Sequence, residues 1–412
     1  MQYGAIDVYE VDDANALTWV DEITSVVPEH DAKFGETMVA LDDMLIVNAW
    51  TADVDGKQDA GQVFCYRRTD DGWVGESVVE DGGCNGRYLG ISMAASESTI
   101  LVTERDCLDG NQNAVRVYTR DGTDWIHETT IVPLECTESG CPLSAGSGLA
   151  VGSDYLVIGN AFPHPPFGPD SGVVYIYERL GGSGPWELVQ ELTPSFADPG
   201  AGFGYRTVLL DDDTMLIVAS YGFSTAPARV YMFARGGDGR WSETNVITIE
   251  QDGTGTELFG YRVALSPDKR SALFVAPGSN LVMRPLSGAV YHIDLGTGEQ
   301  RILRPVNAWS DRTVLAAAFL TNDTILIGES NASPFGLQYA GQIFRVDLNT
   351  YVNCHQDLTR DGTVGVEDLV QMLSEWGSGM PSSDLDCSGA VDFMDVLLLL
   401  SVWGECAMPP GI

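Results

Sequence analysis

Lysine is almost missing from this chain of 412 residues: Lys33, Lys57 and Lys269 are the whole complement. The remaining basic residues are arginine, and 22 basic residues against 59 acidic ones give a net charge of −37. Such an excess repels a phosphate backbone along most of the surface and excludes a general nucleic-acid binder. Long hydrophobic runs are also missing. Val396 to Leu400, near the C-terminus, falls far short of the roughly 20 apolar residues that a membrane helix needs. Met1 opens into polar sequence with no basic and then apolar stretch of a secretory signal, which leads to the expectation of a trimmed or truncated start. Histidine is scarce too, and His30, His127, His164, His292 and His355 show no metal-ligand spacing. No Gly-x-Ser-x-Gly elbow, His-Glu-x-x-His, phosphate-cradling glycine loop or Cys-x-x-Cys occurs, so no catalytic residue is assigned and a zinc site is disfavoured.

Hydrophobic residues make up 44 % of the chain, enough for a substantial core. Eight cysteines point to an oxidising compartment, and the acidic surface suits a salty extracellular medium where ions screen self-repulsion. Candidate disulfides are Cys136 with Cys141, Cys84 with Cys107, and Cys354 with Cys406; Cys65 reads as a core residue and Cys387 falls inside an acidic loop. Spacing alone does not fix this connectivity.

Self-similarity organises most of the chain. The phrase "FGETMVALDDMLIVNAW" from Phe34 returns as "LGISMAASESTILVTE" from Leu89, "AGSGLAVGSDYLVIGNA" from Ala145, "FGYRTVLLDDDTMLIVAS" from Phe203, "FGYRVALSPDKRSALFVAP" from Phe259 and, worn, "VLAAAFLTNDTILIGES" from Val314. Its second residues fall at Gly35, Gly90, Gly146, Gly204, Gly260 and Leu315, spaced by 55, 56, 58, 56 and 55. Each copy has a later alternating strand, beginning at Gly4, Gly61, Ala114, Gly172, Ala228, Gly288 and Gly341. A Trp-containing segment usually follows, at Trp73, Trp125, Trp186 and Trp241. In the phrase itself, two apolar pieces such as Val39–Leu41 and Leu45–Val47 predict an inner hairpin around an acidic turn, Asp42–Asp43 here and Asp211–Asp213 in a later copy. Four short strands per repeat with nothing helical between them predict β-propeller blades.

The recurring FG, VAL, LIV and G-x-V-Y phrase resembles the FG-GAP repeat propellers of secreted bacterial proteins, which share their plan with the integrin α-subunit head. The resemblance covers residues 1 to 348. Integrin-type repeats often hold a calcium loop in the inner hairpin; these hairpin turns are too short for one. The nearest candidate, Asp53 to Asp59, reads as an ordinary turn before it reads as a metal site. Seven later strands against six inner hairpins favour seven blades, with six the alternative. The N-terminus would start partway through a blade, and a strand within Thr18 to Val27 would complete the C-terminal repeat, Val314 to Leu348, so that no sheet edge is left open.

The texture changes after Asn353. "DLTRDGTVGVEDLVQMLSEWG" from Asp357 is followed by "DLDCSGAVDFMDVLLLLSVWG" from Asp384, and Asp357 and Asp384, Gly362 and Gly389, Asp368 and Asp395, and Trp376 and Trp403 align at an offset of 27. The spacing is that of a twelve-residue EF-hand-type calcium loop, with oxygen ligands at positions 1, 3, 5, 7 and 12 and glycine at 6 for the turn. The first loop offers Asp357, Thr359, Asp361, the carbonyl of Thr363, and Asp368. The second offers Asp384, Asp386, Ser388, the carbonyl of Ala390, Asp392 at position 9, and Asp395. Two Ca2+ ions are therefore expected. Each loop leads into a helix, with Leu369, Val370, Leu373 and Trp376 predicted as the apolar face of one and Val396, Leu397, Leu400 and Trp403 of the other, and a Trp-Gly end for each. So small a module needs metal to supply much of its folding free energy.

A loop and one helix, duplicated, with Asp at position 12, resembles the type I dockerin family over residues 354 to 406. That resemblance implies calcium-dependent folding and docking onto a cohesin-like or cell-surface protein. At loop positions 10 and 11 the Ser-Thr pair of cellulosomal dockerins is replaced by Val366, Glu367 and Phe393, Met394, which points away from a cellulosome-type partner. The fold expected is mainly β: residues 1–350 a propeller and residues 351–412 a small α-helical calcium module. The expected function is a secreted or cell-surface, bacterial adhesion or interaction protein, with a protein or glycan ligand on the propeller, no nucleic acid and no membrane span. The alternative is a dockerin-bearing glycoside hydrolase acting in polysaccharide catabolism.

Overall fold

A computed structural model describes residues 4–12, 16–25, 31–79, 84–105, 113–132, 145–161, 172–179, 184–196, 198, 201–219, 227–249, 258–277, 288–303, 314–329, 342–349, 356, 358–359, 363–377, 383, 385 and 391–405. The chain is mainly β, with the six sheets of a six-blade β-propeller and two short helices. Contacts divide it into two compact units, Met1–Ser220 with Ala228–Thr248, and Tyr221–Pro227 with Ile249–Ile412.

The first unit begins with a hairpin, β1 (Ala5–Val11) and β2 (Leu17–Thr24). Four antiparallel meanders follow. They are β3 (Met38–Ala40), β4 (Met44–Ala49), β5 (Gln62–Thr69) and β6 (Gly72–Val79); β7 (Met93–Ala95), β8 (Thr99–Arg105), β9 (Asn113–Asp121) and β10 (Asp124–Ile131); β11 (Ala145–Val151), β12 (Tyr155–Asn160), β13 (Val173–Arg179) and β14 (Trp186–Leu192); and β15 (Phe203–Asp211), β16 (Thr214–Ala219), β17 (Arg229–Arg235) and β18 (Trp241–Thr248). The second unit holds a fifth blade, β19 (Arg262–Leu265), β20 (Ser271–Ala276), β21 (Ala289–Asp294) and β22 (Gln300–Leu303), then a sixth of three strands, β23 (Val314–Phe319), β24 (Thr324–Glu329) and β25 (Gln342–Asp347). It ends with β26 (Thr363–Val364), α1 (Val366–Ser374), α2 (Phe393–Leu400) and β27 (Gly404–Glu405).

The repeat phrase maps directly onto the blades. Its two apolar pieces form the inner hairpin, Val39 opposite Ile46 and Ala40 opposite Leu45. The alternating strand is the third, and the Trp segment is the fourth. The second strands β12 and β20 are buried along their whole length; within the first unit β12 lies in a sheet covered on both faces by its neighbours. Successive residues then serve different cores: Met44 and Ile46 pack with Leu89, Ile100 and Val102 of the second blade, whereas Val47 packs with Phe34, Phe64 and Tyr66 toward the N-terminal hairpin.

Three junctions between blades are set by glycine. The residue opening the third strand sits directly on the backbone of the residue that opens the next blade's phrase. A Cβ at Gly61 would lie 2.5 Å from the Leu89 nitrogen, one at Gly172 would lie 2.0 Å from the Phe203 carbonyl oxygen, and one at Gly288 would lie 2.8 Å from the Val314 nitrogen. These glycines have φ of 83°, 91° and 74°, the left-handed region that side chains disfavour. The phrase's own glycine completes the fit: Gly90 (φ 99°) donates to the Thr103 carbonyl at 3.0 Å and abuts Val63 and Asn48 of the preceding blade. Buried Asn48 then bridges the joint, accepting from the Thr37 N–H at 2.9 Å and donating to the Gly90 carbonyl at 2.9 Å.

Arginine closes the rim of the first unit. Arg120, Arg179 and Arg235 end third strands and stand opposite Trp125, Trp186 and Trp241 in register. Each reaches back to an acid of the preceding blade: Arg120 to Glu76 at 3.5 Å, Arg179 to both oxygens of Glu128 at 2.6 and 2.7 Å, and Arg235 to Asp154 at 2.9 Å and Glu178 at 2.8 Å. Bidentate geometry suits arginine over lysine. These pairs are partly solvated, so each is worth no more than about 1 kcal/mol.

The count of blades corrects the first expectation of seven. The strand expected from Thr18 to Val27 to complete the last repeat runs instead as β2, antiparallel to β1 with Tyr9 opposite Trp19. Ile6, Val8 and Ile23 of this hairpin pack on Phe34 and Phe64 in a core of the first unit. Among the described cysteines Cys65 is free and buried, its thiol pushed up to about 12 chiefly by burial, and Cys84 is disulfide-bonded. The proposed partner Cys107 and the pairs Cys136–Cys141 and Cys354–Cys406 lie outside the described residues, as does Cys387.

Two outcomes test this reading. Gly172→Ala should destabilise the protein by about 3 kcal/mol or more, since the new methyl meets backbone, whereas Gly122→Ala, at φ 66° with nothing within 4 Å, should cost about 1 kcal/mol; denaturation midpoints check both. His292, half-buried on β21 with its ring 6.2 Å from Phe319, is held below its ordinary 6.5 by burial and by the Arg301 guanidinium, with Asp294 opposing. The fold favours the neutral ring, so stability is present above pH 6.5 and falls as pH drops below it; thermal melts from pH 7 to 5 should show this slope, and His292→Leu should flatten it.

Candidate metal centre

The paired acidic loops are the one constellation in the sequence with metal-ligand spacing. Of their eleven expected ligands the described residues include Thr359, Thr363 and Asp368 of the first loop and Asp392 and Asp395 of the second. Asp357, Asp361, Asp384, Asp386, Ser388 and Ala390 lie outside them. Among the described residues no three His, Cys, Asp or Glu side chains converge.

The position-12 carboxylates are the centre of the arrangement. Asp368 and Asp395 are both 0 % exposed, although each sits in the first turn of a short surface helix. Each turns back on its own loop. Asp368 accepts from the Thr359 N–H at 2.9 Å and hydroxyl at 3.0 Å with one oxygen, and from the Gly365 N–H at 2.7 Å with the other. Asp395 accepts from the Asp392 N–H at 2.8 Å, and the Asp392 side chain accepts from the Met394 N–H at 2.7 Å as the cap of α2. Burial alone would raise the Asp368 carboxyl, but the donors from Thr359, Gly365 and Leu358 outweigh it and hold it below the usual carboxylate range. Positions 3 and 12 of the first loop are thus brought together, and so are positions 9 and 12 of the second.

The rotation of both helices differs from the expected one. The shared core consists of Val364, Met372, Val391 and Leu399, with Leu358, Leu369, Leu385 and Val396 packed against it. Every one has its counterpart 27 residues away. Val370, Leu373, Trp376, Leu397, Leu400 and Trp403, expected on the apolar face, are exposed by 44–60 %. The cause is the buried aspartate: with Asp368 turned inward, the residue four positions on, Met372, shares its face, and Leu399 follows Asp395 likewise. In α2 apolar residues on nearly every side hid this in the sequence, and in α1 Val370 and Leu373 adjoin Leu369 and Met372; the position-8 residues Val364 and Val391, invariant across the duplication, were the available signal. The expected Trp-Gly ends are corrected: α1 ends at Ser374 with Glu375 as its cap and α2 at Leu400 with Ser401 as its cap, and Trp376-Gly377 and Trp403-Gly404 follow, the glycines at φ 70° and 126°.

Two other candidates in the first unit are already saturated. In the turn from Asp53 to Asp59, Asp53 accepts from the Asp59 N–H at 2.8 Å, and Val54 and Lys57 pair across Asp55 and Gly56, both at positive φ, so the acids serve the turn. A cavity of about 470 Å³ beside β10 and β14 is lined by Glu128, Thr130, Tyr177 and Trp186 among others. Its carboxylate is occupied by Arg179 and by the Thr119 hydroxyl at 2.6 Å, which hold it low against burial and leave it unsuited to acid–base chemistry.

Met372→Ala or Leu399→Ala should loosen the helical module by about 2–5 kcal/mol, whereas Val370→Ala or Leu397→Ala should stay within about 0.5 kcal/mol; amide exchange of α1 and α2 distinguishes them.

No family model matches the chain and no curated protein does. Solved structures do resemble it. The periplasmic gluconolactonase of Pseudomonas aeruginosa is 17 % identical, with 83 % of this chain and 92 % of that one covered and a TM-score of 0.48. A hypothetical selenium-binding protein of Sulfolobus tokodaii is 9 % identical over 83 % of each chain, TM-score 0.49. A Lactobacillus plantarum protein is 13 % identical over 74 % of this chain and 81 % of that one, TM-score 0.46. Likeness at this level assigns no activity. The expected function is nevertheless corrected: neither the FG-GAP nor the dockerin resemblance gains a family match, so adhesion through a dockerin and its polysaccharide-degrading alternative are set aside. What stands is the fold: a six-blade β-propeller chain.

Proposed function

We propose that the segment following the propeller is a two-site calcium module that folds with its metal. The observation that carries this is the pair of fully buried carboxylates, Asp368 and Asp395, at equivalent positions of a duplicated loop, each aimed into its own loop. A buried carboxylate is costly without a cation or strong donors. Here loop donors hold the Asp368 carboxyl below the usual range, and the negative charge gathered in each loop suits a hard cation that accepts carboxylate, hydroxyl and carbonyl oxygen together.

Asp357, Thr359, Asp361, Asp368 and the carbonyl of Thr363 would hold the first ion; Asp384, Asp386, Ser388, Asp395 and the carbonyl of Ala390 the second, with Asp392 reaching it through water. When bound, each Ca2+ neutralises the clustered carboxylates of its loop and fixes the loop on its helix. The chain's own residues do the rest: Gly365 and Asp392 N–H groups orient the position-12 carboxylates, and Val364 and Val391 keep water from the core beneath them. The disulfide at Cys84 and the −37 charge support a secreted or cell-surface setting, where calcium is plentiful and thiols oxidise.

Calorimetry on the full chain should register two ions. Calcium at about 100 times its Kd should stabilise the module by roughly 2.7 kcal/mol per site. Amide exchange across residues 357–368 and 384–395 should slow with calcium and speed up in chelator, and the double variant Asp368→Asn, Asp395→Asn should abolish the difference. Equal protection in calcium and chelator refutes the reading.

A further inference from the structure

The hairpin β1–β2 is built like the outer half of a blade. Gly4 precedes β1 as Gly61 and Gly172 precede third strands: a Cβ on it would lie 2.4 Å from the carbonyl oxygen of Phe34, which begins the next phrase. Its pairing shifts register between Val8 and Tyr9, at the place where β5–β6 shifts between Cys65 and Tyr66 and β13–β14 between Ile176 and Tyr177. Ile6 and Val8 pack with Phe34 as Val63 and Cys65 pack with Leu89. In every four-stranded sheet of the first unit the third strand lies between a second and a fourth; among the described residues β1 pairs with β2 alone.

The inner edge of β1 is therefore open, and the core beside it is half covered. Val63, Cys65, Val174 and Ile176 are 0 % exposed, whereas Ile6 and Val8, at the same positions, are only partly buried. Leu45, opposite Tyr66, is partly buried as well. Its counterparts Leu156 and Met215 are 0 % exposed, packed with Leu101 and Val157 from the second strand of the blade before. One apolar strand face would cover Ile6, Val8 and Leu45 together. The other face of the hairpin is polar. Where other third strands bury Phe64 or Tyr175, β1 exposes Asp7, which accepts from the Trp19 Nε1–H at 3.1 Å and stands directly opposite exposed Glu22. Facing carboxylates repel across a strand pair, and no lysine or arginine precedes Lys33.

We propose that the open edge of β1 docks an extended segment of a partner protein whose residues alternate aliphatic and basic, added antiparallel as a further strand. Main-chain hydrogen bonds along Ala5–Val11 hold it, and alternate side chains specify it. The aliphatic residues face Leu45 in line with Ile6 and Val8, and the basic ones lie beside Asp7 and Glu22 and relieve their repulsion. The net charge of −37 draws such a segment in. A second copy of β1 would instead bring Asp7 and Glu10 to the same edge, adding like charge.

The test uses the full chain and three acetylated peptides of 7 residues, the length of β1. One alternates valine and lysine, one has the same composition in two blocks, and one alternates valine and glutamate. Amide exchange over Ala5–Val11 should slow by about tenfold or more with the alternating lysine peptide, and stay unchanged with the other two. The double variant Asp7→Lys, Glu22→Lys should shift the preference by about tenfold toward the glutamate peptide, with exchange in β12 reporting an intact unit. No slowing with the lysine peptide overturns the proposal, and so does equal slowing with the block or the glutamate peptide. Slowing that grows with protein concentration and needs no peptide also overturns it, since a second copy then covers the edge.

Discussion

The propeller depends on backbone pressed against backbone at three blade joints. Gly61 against Leu89, Gly172 against Phe203 and Gly288 against Val314 leave no room for a methyl, and the closest approach would be 2.0 Å. From this contact the rest follows. At these joints the third strand of one blade is pinned to the opening of the next, and in the first unit the buried Leu89 and Phe203 of the phrase are set into the preceding core. Packing at this density transmits position without slack, so the spacing of about 56 residues can vary only in the loops.

Charge is arranged around that scaffold and not within it. Arg120 and Arg179 stack beside their own blade's tryptophan, Arg235 beside Tyr155 of the blade before, and each pairs with an acid of the blade before. Each pair is weak, but together they tie consecutive blades at the rim and offset some of the self-repulsion of a strongly acidic chain. The near absence of lysine fits the geometry, since a forked guanidinium reaches two oxygens and an aromatic face at once.

In the C-terminal module one buried group per half plays the organising part. Turning Asp368 and Asp395 inward fixes the rotation of α1 and α2, selects Met372 and Leu399 for the core, and leaves Val370, Leu373, Leu397 and Leu400 in solvent. The duplication is legible as a 27-residue offset, and so are the ligand types. The rotation was not legible, because apolar residues adjoin on both possible faces, Val370 beside Leu369 and Leu397 beside Val396, and the deciding interaction is a carboxylate hydrogen-bonded to its own loop.

By itself the sequence determined the repeat, four strands to each, the order of hairpin, alternating strand and Trp strand, the glycine positions, and the paired loops with their acids. These are local properties, written in periodicity of two and in turn chemistry. Tertiary structure decided that Leu17–Thr24 pairs with Ala5–Val11 and leaves six blades, which acids the arginines take, and which face of each helix is buried. Those outcomes turn on which of several equally apolar surfaces and unpaired edges meet, and that competition is settled only when distant segments pack together.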